Sequence, residues 1–221
     1  MKIFLDTANT GEISKGFSTG LIDGVTTNPS LAAKENRDFD EVVKEILNIF
    51  KGTSGVVNLE VISERSEEMI KEGLKLSKLS SNVVVKIPCT EEGLKACKEL
   101  SSKKIRVNVT LCFSASQALL AAKAGAYFIS PFIGRLDDIN QDGMQLIEEI
   151  KEIYSHYSFK TQILVASIRS PRQVVDAALI GADVVTVPYD IYEKLIKHPL
   201  TDIGLRTFLN DWHDYKTKFR K

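Results

Sequence analysis

The stretch Val83-Val-Val-Lys-Ile-Pro88 sets a lysine at the end of a β-branched run. Such a run reads as a buried strand, and a lysine ending it has no easy route to water if the strand is central. The same plan recurs along the chain, as short β-branched runs closed by polar side chains. Strands are expected over Lys2–Leu5, Gly24–Thr26, Val56–Val61, Val83–Ile87, Arg106–Val109, Ala126–Ser130, Gln162–Ala166 and Asp183–Val187. All but the last end in reactive or hydrogen-bonding groups: Asp6, Thr27–Asn28, Asn58–Glu60, Lys86, Asn108–Thr110, Ser130–Arg135 and Ser167–Arg169. Several of these come two residues apart, as in Asn58/Glu60, Asn108/Thr110 and Ser167/Arg169, so each pair shares one face of its strand.

Between the strands lie amphipathic helical patterns over Phe39–Phe50, Ser66–Lys78, Glu91–Leu100, Ala115–Ala124, Gln141–Tyr157 and Pro171–Ile180. Two of these starts, Ser114-Ala-Ser-Gln117 and Ser170-Pro-Arg-Gln173, match the capping box, and the second adds proline at the first helical position. Their ends also agree, with Gly125 and Gly181 standing where a helix C-cap favours a left-handed backbone. Alternating strands and helices predict parallel strands joined by right-handed crossovers. An open sheet would gather its site at one switch point, often with a glycine-rich phosphate loop, and the sequence has neither GxGxxG nor GxxxxGK[ST]. Polar groups at the ends of many strands instead predict an α/β fold, a single (β/α)8 TIM barrel over residues 1–221, with 201–221 as a C-terminal helical extension.

The chain has 221 residues, 43% of them hydrophobic, enough for a sizeable core in one domain. Lys+Arg and Asp+Glu balance at 29 each, which argues against nucleic-acid and membrane-surface partners. Cys89, Cys97 and Cys112 form no CxxC pair, and with three histidines a Cys/His zinc site is not expected. Neither a signal-like apolar stretch nor a membrane-length run is present, so the expectation is a cytoplasmic protein with reduced thiols.

Lys86 has two readings. It either snorkels or pairs with a carboxylate, or it is a desolvated amine whose pKa falls towards neutrality and which is available for Schiff-base chemistry. Acids on other strands, Asp6 and Glu60, favour the second. Each of the other candidates has its own structural alternative. Asp6 reads equally as a helix N-cap, and Glu60, a charge within an apolar strand, as half of a salt bridge. Asn108 and Thr110 fit rim groups that satisfy backbone, while Arg135 and Arg169 fit either solvated charges or, beside serines, a bidentate phosphate seat.

These residues make the chain resemble the small-subunit branch of the transaldolase family, which also holds fructose 6-phosphate aldolase. The resemblance runs through FLDTA at Phe4–Ala8, GVTTNPSL at Gly24–Leu31, VVVKIP at Val83–Pro88, NVT at Asn108–Thr110, SPFIGRLDD at Ser130–Asp138 and VASIRSPRQ at Val165–Gln173, with Asp211–Trp212 near the end. It implies a (β/α)8 barrel and a metal-free class I mechanism without a cofactor. By position, Lys86 would form the Schiff base, Asp6 would move the proton at the carbon–carbon bond, and Glu60 with Thr110 and a water would shuttle protons at the carbinolamine. Asn28, Asn108 and Ser130 would hold hydroxyls of a dihydroxyacetone unit, while Arg135, Ser167 and Arg169 would take the phosphate. The implied reaction moves that unit from sedoheptulose 7-phosphate or fructose 6-phosphate to glyceraldehyde 3-phosphate or erythrose 4-phosphate, in the non-oxidative pentose phosphate pathway. The related aldolases, which release free dihydroxyacetone, carry glutamine in place of Glu60 and tyrosine in place of Phe132.

The tail Thr201–Lys221 places Leu205, Phe208, Leu209 and Trp212 at helical spacing. That apolar stripe fits packing on its own barrel. The resemblance implies instead that it docks on a neighbour in a homo-oligomer, a pentamer or a decamer.

Overall fold

Residues 1–219 are described by a computed structural model, and the last two residues of the tail lie outside them. The β-branched runs form β1 (Lys2–Asp6), β2 (Gly24–Thr26), β3 (Val56–Glu60), β4 (Val83–Pro88), β5 (Val107–Cys112), β6 (Phe128–Pro131), β7 (Gln162–Val165) and β8 (Val184–Val187). All neighbours pair in parallel, and β8 returns to β1, so the sheet is a closed barrel in chain order. The fold is the TIM barrel that the polar strand ends predict.

Alternation along the strands sorts side chains into two environments. Leu5, Val25, Val57, Leu59, Val85, Ile87, Val107 and Val109 face outwards and pack beneath the helices. Phe4, Val56, Val84, Phe128, Leu164 and Val184 face inwards and fill the lower part of the barrel. Phe4 and Phe128 meet edge to face there, ring centroids 6.0 Å apart, and form an apolar floor. One step further along the same inward rows stand Asp6, Asn58, Lys86, Ser130 and Thr186. The barrel is thus apolar below and polar at the C-terminal ends of its strands.

The helical ring consists of α1 (Thr10–Ser18), α2 (Pro29–Lys34), α3 (Phe39–Ile49), α4 (Ser66–Ser77), α5 (Glu91–Ser102), α6 (Ala115–Ala124), α7 (Ile133–Asp137), α8 (Gly143–His156), α9 (Pro171–Ile180) and α10 (Tyr189–Ile196). The expected caps form with one change. Ser114 and Ser170 accept from the Gln117 and Gln173 amides at 3.2 and 3.3 Å. The reciprocal bonds, both 2.8 Å, come from the amides of Phe113 and Arg169, one residue before the cap rather than the cap itself. Gly125 and Gly181 close these helices at φ 89° and 84°. The last helix, α11 (Pro199–Phe219), has no buried residue, and Phe208 and Trp212 are exposed at 73% and 54%. Packing of the tail on its own barrel is therefore not what the chain does. Among the described residues, no helix is long and apolar enough to cross a membrane.

Candidate active site

Strand register assembles the site. Glu60 lies beside Lys86, Lys86 beside Asn108, and Pro88 beside Thr110; Asp6 lies beside Thr26. Lys86 is 4% exposed, and its ammonium sits 3.1 Å from Glu60 Oε2 while donating to the Thr27 carbonyl at 3.2 Å. The lysine thus pairs with a carboxylate, as the first of its two readings has it, and it does so inside the barrel mouth.

Asp6 accepts from the Thr26 hydroxyl at 2.8 Å, and Thr26 Oγ1 lies 2.7 Å from Thr186 Oγ1. Thr26 has one proton and gives it to Asp6, so Thr186 is the donor in the second bond. Burial pushes the Asp6 carboxyl above the usual carboxylate range, with Lys86 and the Thr26 hydroxyl pulling the other way. A relay of amides lies opposite. Ser130 donates to Asn108 at 2.7 Å, Asn108 donates to Asn58 at 3.0 Å, and Asn58 donates to the Val25 carbonyl at 3.1 Å. Asn108 and Asn58 are fully buried, so this relay fixes the wall on which Ser130 stands. Thr110 Oγ1 is buried without a hydrogen-bond partner among the described residues. Leaving a hydroxyl so costs about 1–3 kcal/mol, and a water or a substrate oxygen would satisfy it.

Asp6, Asn28, Lys86, Ser130, Phe132, Arg135 and Ser167 surround one cavity of about 140 Å³, together with Thr26, Thr186 and Ala166. Glu60 lines an adjoining cavity of about 230 Å³ with Thr27 and Asn28, so Lys86 stands between its two carboxylates. Asn28 Oδ1 caps α2 through the Leu31 amide at 2.9 Å, which leaves its amide nitrogen for a ligand. The Arg135 guanidinium lies over the Phe132 ring, 5.1 Å from its centroid. Three of the expected residues line neither cavity: Asn108 and Thr110 are buried in the barrel wall, and Arg169 is at the rim, half-exposed, with its terminal nitrogens on Asp138 at 2.5 and 2.6 Å.

Thr26 and Thr186 are parts of this wall that sequence reasoning did not single out. Each sits in a β-branched run where threonine is an ordinary strand former, so neither is anomalous by composition. The available signal was alternation: Thr26 precedes Asn28 by two, and Thr186 occupies the only strand without an assigned polar end.

A model of the transaldolase/fructose-6-phosphate aldolase family matches residues 3–219. The chain belongs to that family. Its relatives agree over nearly full length. A probable transaldolase of Aquifex aeolicus is 58% identical over 99% of each chain, and one of Thermodesulfovibrio yellowstonii is 54% identical over 98% of this chain and all of its own. A probable transaldolase of Thermoplasma volcanium is 57% identical, covering 96% and 95%. As a transaldolase-family enzyme, the chain carries its polar groups where barrel chemistry takes place, at the C-terminal strand ends.

Proposed function

We propose that the protein is a transaldolase that carries a dihydroxyacetone unit between sugar phosphates as a Schiff base on Lys86. The observation that carries this reading is a buried lysine sharing one cavity with Asp6 while touching Glu60. Proton transfer from Lys86 to Glu60 frees the amine, which attacks the ketose carbonyl. The carbinolamine then loses water to give an iminium, with Glu60 and a water on the orphan Thr110 hydroxyl moving the protons. Asp6 takes the proton from the C4 hydroxyl, the C3–C4 bond breaks, and its electrons pass into the iminium as the first aldose leaves. The resulting enamine attacks the aldehyde of the second aldose phosphate, Asp6 returns the proton to the new hydroxyl, and water releases the product.

Asn28 and Ser130 line the cavity and suit the hydroxyls of the three-carbon unit, with Asn108 holding Ser130 from behind, and Arg135, Ser167 and Arg169 suit the phosphate. Phe132 supports transfer over release. Its ring lines the cavity without a donor or acceptor and keeps water from that side of the enamine. A phenolic hydroxyl there would orient a water to protonate the carbanion. Cleavage of fructose 6-phosphate should therefore be much slower alone than with erythrose 4-phosphate. Phe132→Tyr should lower the transfer-to-release ratio, and adding Glu60→Gln should lower it further. Product assays with and without acceptor decide this; equal rates in the wild type would make the protein an aldolase of the same family.

The bare stripe on α11, including Ile203, Phe208 and Trp212, supports assembly into a homo-oligomer, a pentamer or decamer, with this helix on a neighbour. Light scattering should give a mass well above the 24.6 kDa of one chain, and a chain cut after Leu200 should fall to a smaller species. A full-length monomer at micromolar concentration would refute the assembly.

A further inference from the structure

Arg169 is held from several directions at once. Its two terminal nitrogens each donate to one oxygen of Asp138, at 2.5 and 2.6 Å. Its backbone amide donates to Gln173 Oε1 at 2.8 Å, and Gln173 Nε2 donates to Asp137 at 2.8 Å. The other Asp137 oxygen accepts the Gly143 amide at 3.0 Å, which ties this end of α7 to the start of α8. Gly134 completes the clasp. A β-carbon there would collide with the Ser167 carbonyl oxygen and stand 2.8 Å from Arg169 Nε and 3.0 Å from Ser167 Oγ. Only glycine lets α7 approach the turn after β7 so closely, and that approach sets Arg169 Nε and the Ser167 hydroxyl around one point. Ser167 itself is held at φ 61°, a left-handed backbone that serine adopts only when its surroundings impose it.

A guanidinium has five donors. End-on pairing with Asp138 uses two and leaves Nε–H and one N–H on each terminal nitrogen. Among the described residues Nε makes no hydrogen bond. Ser167 lines the cavity, whereas Arg169 and Asp138 stand at its rim, with the Arg169 Nε turned to the Gly134 and Ser167 side and the carboxylate gripping the far end of the fork.

We propose that Asp138 is a positioning residue for phosphate recognition: by gripping the far end of the Arg169 fork, it fixes Nε–H beside the Ser167 hydroxyl, where a substrate phosphate meets both. This rests on the phosphate reading of Arg135, Ser167 and Arg169 given above. A half-exposed arginine without this grip would lose its rotamer freedom on binding, whereas the clasp imposes that loss at folding. The carboxylate also repels a phosphate, so a mere competitor for Arg169 would act with the opposite sign.

The test compares kcat/KM for fructose 6-phosphate and for fructose, at a fixed concentration of one acceptor, in wild type, D138A, D138N, R169A and D138A/R169A. D138A should lower the phosphorylated-to-unphosphorylated ratio roughly tenfold, mainly through KM, and weaken competitive inhibition by inorganic phosphate alike. D138N, which keeps one acceptor oxygen and the side-chain shape, should lose less. Adding D138A to R169A should change the ratio less than about twofold, because Asp138 acts through that arginine. A ratio that rises in D138A makes Asp138 a competitor and overturns the proposal. So does an equal loss with both ketoses, or a further loss in the double variant. If R169A leaves the ratio unchanged, the phosphate reading itself has failed and the proposal falls with it.

Discussion

Borohydride added together with fructose 6-phosphate should fix substrate carbon on Lys86 and on no other lysine. The amine must be deprotonated, near a carbonyl and beside groups that move its protons, and among the described residues Lys86 combines burial with contact to Glu60 and a shared cavity with Asp6. Peptide mass mapping reads the result directly. Lys34 is the informative control, since it lies close enough for its charge to act on Asp6 and yet is exposed at the surface. Lys86→Met keeps most of the volume and removes the nucleophile, and activity should drop by at least about 10³-fold, because the covalent route and its acid–base steps are lost together. A label on Lys34, or activity surviving in Lys86→Met, would end the Schiff-base mechanism for this chain.

Asp6→Asn should have the second largest effect, a fall in kcat of about 10²–10⁴-fold, since the amide cannot take the hydroxyl proton. Its stability effect should run the other way. Burial raises the folded carboxyl above its ordinary value of 3.8, so over the interval from that value up to the folded one the native state holds a proton that the unfolded chain has lost. Native stability therefore falls as pH rises through this interval, and the full penalty is present above it. Asp6→Asn removes the penalty, so its melting temperature should exceed wild type at neutral pH and the difference should vanish below the ordinary aspartate value. The acidic limb of the wild-type pH–rate profile should likewise lie above the usual carboxylate range. A variant less stable than wild type at neutral pH would show that the Asp6–Thr26–Thr186 bonds outweigh the burial of charge. The opposition between activity and stability at one residue is what a functional charge in a barrel mouth produces.

Much of this architecture was legible in the sequence because it rests on anomalies that periodicity exposes. Lys86 and Glu60 interrupt apolar strands, and interruptions of that kind are costly unless they are used. The strand count and the helix caps were legible for the same local reasons. What escaped notice depends on the third dimension. The end of β5 runs to Cys112 rather than Val109 because Leu111 takes φ 57° and the pairing with β6 shifts register there, an irregularity no pattern of residue types announces. The five-residue α7 is too short to show a helical period. Asp138 reads as an ordinary loop acid, because its partner Arg169 is 31 residues away and meets it only when the barrel closes. Thr186 is hidden by its own suitability for a strand.

The apolar floor made by Phe4 and Phe128 turns the barrel into a vessel with a closed base. Under the Schiff-base mechanism proposed above, everything that reaches Lys86 would come and go over the same rim: the ketose, the departing aldose, the incoming aldose and the water that ends the cycle. Traffic at that rim is then sequential by necessity, since the first aldose has to clear the passage before the second can occupy it. On that mechanism the three-carbon fragment would wait, tethered to the wall, between two visitors that never meet. The two aldoses would then contend for one passage, and the lifetime of the tethered fragment would be set by which molecule next crosses the threshold, an acceptor or a water.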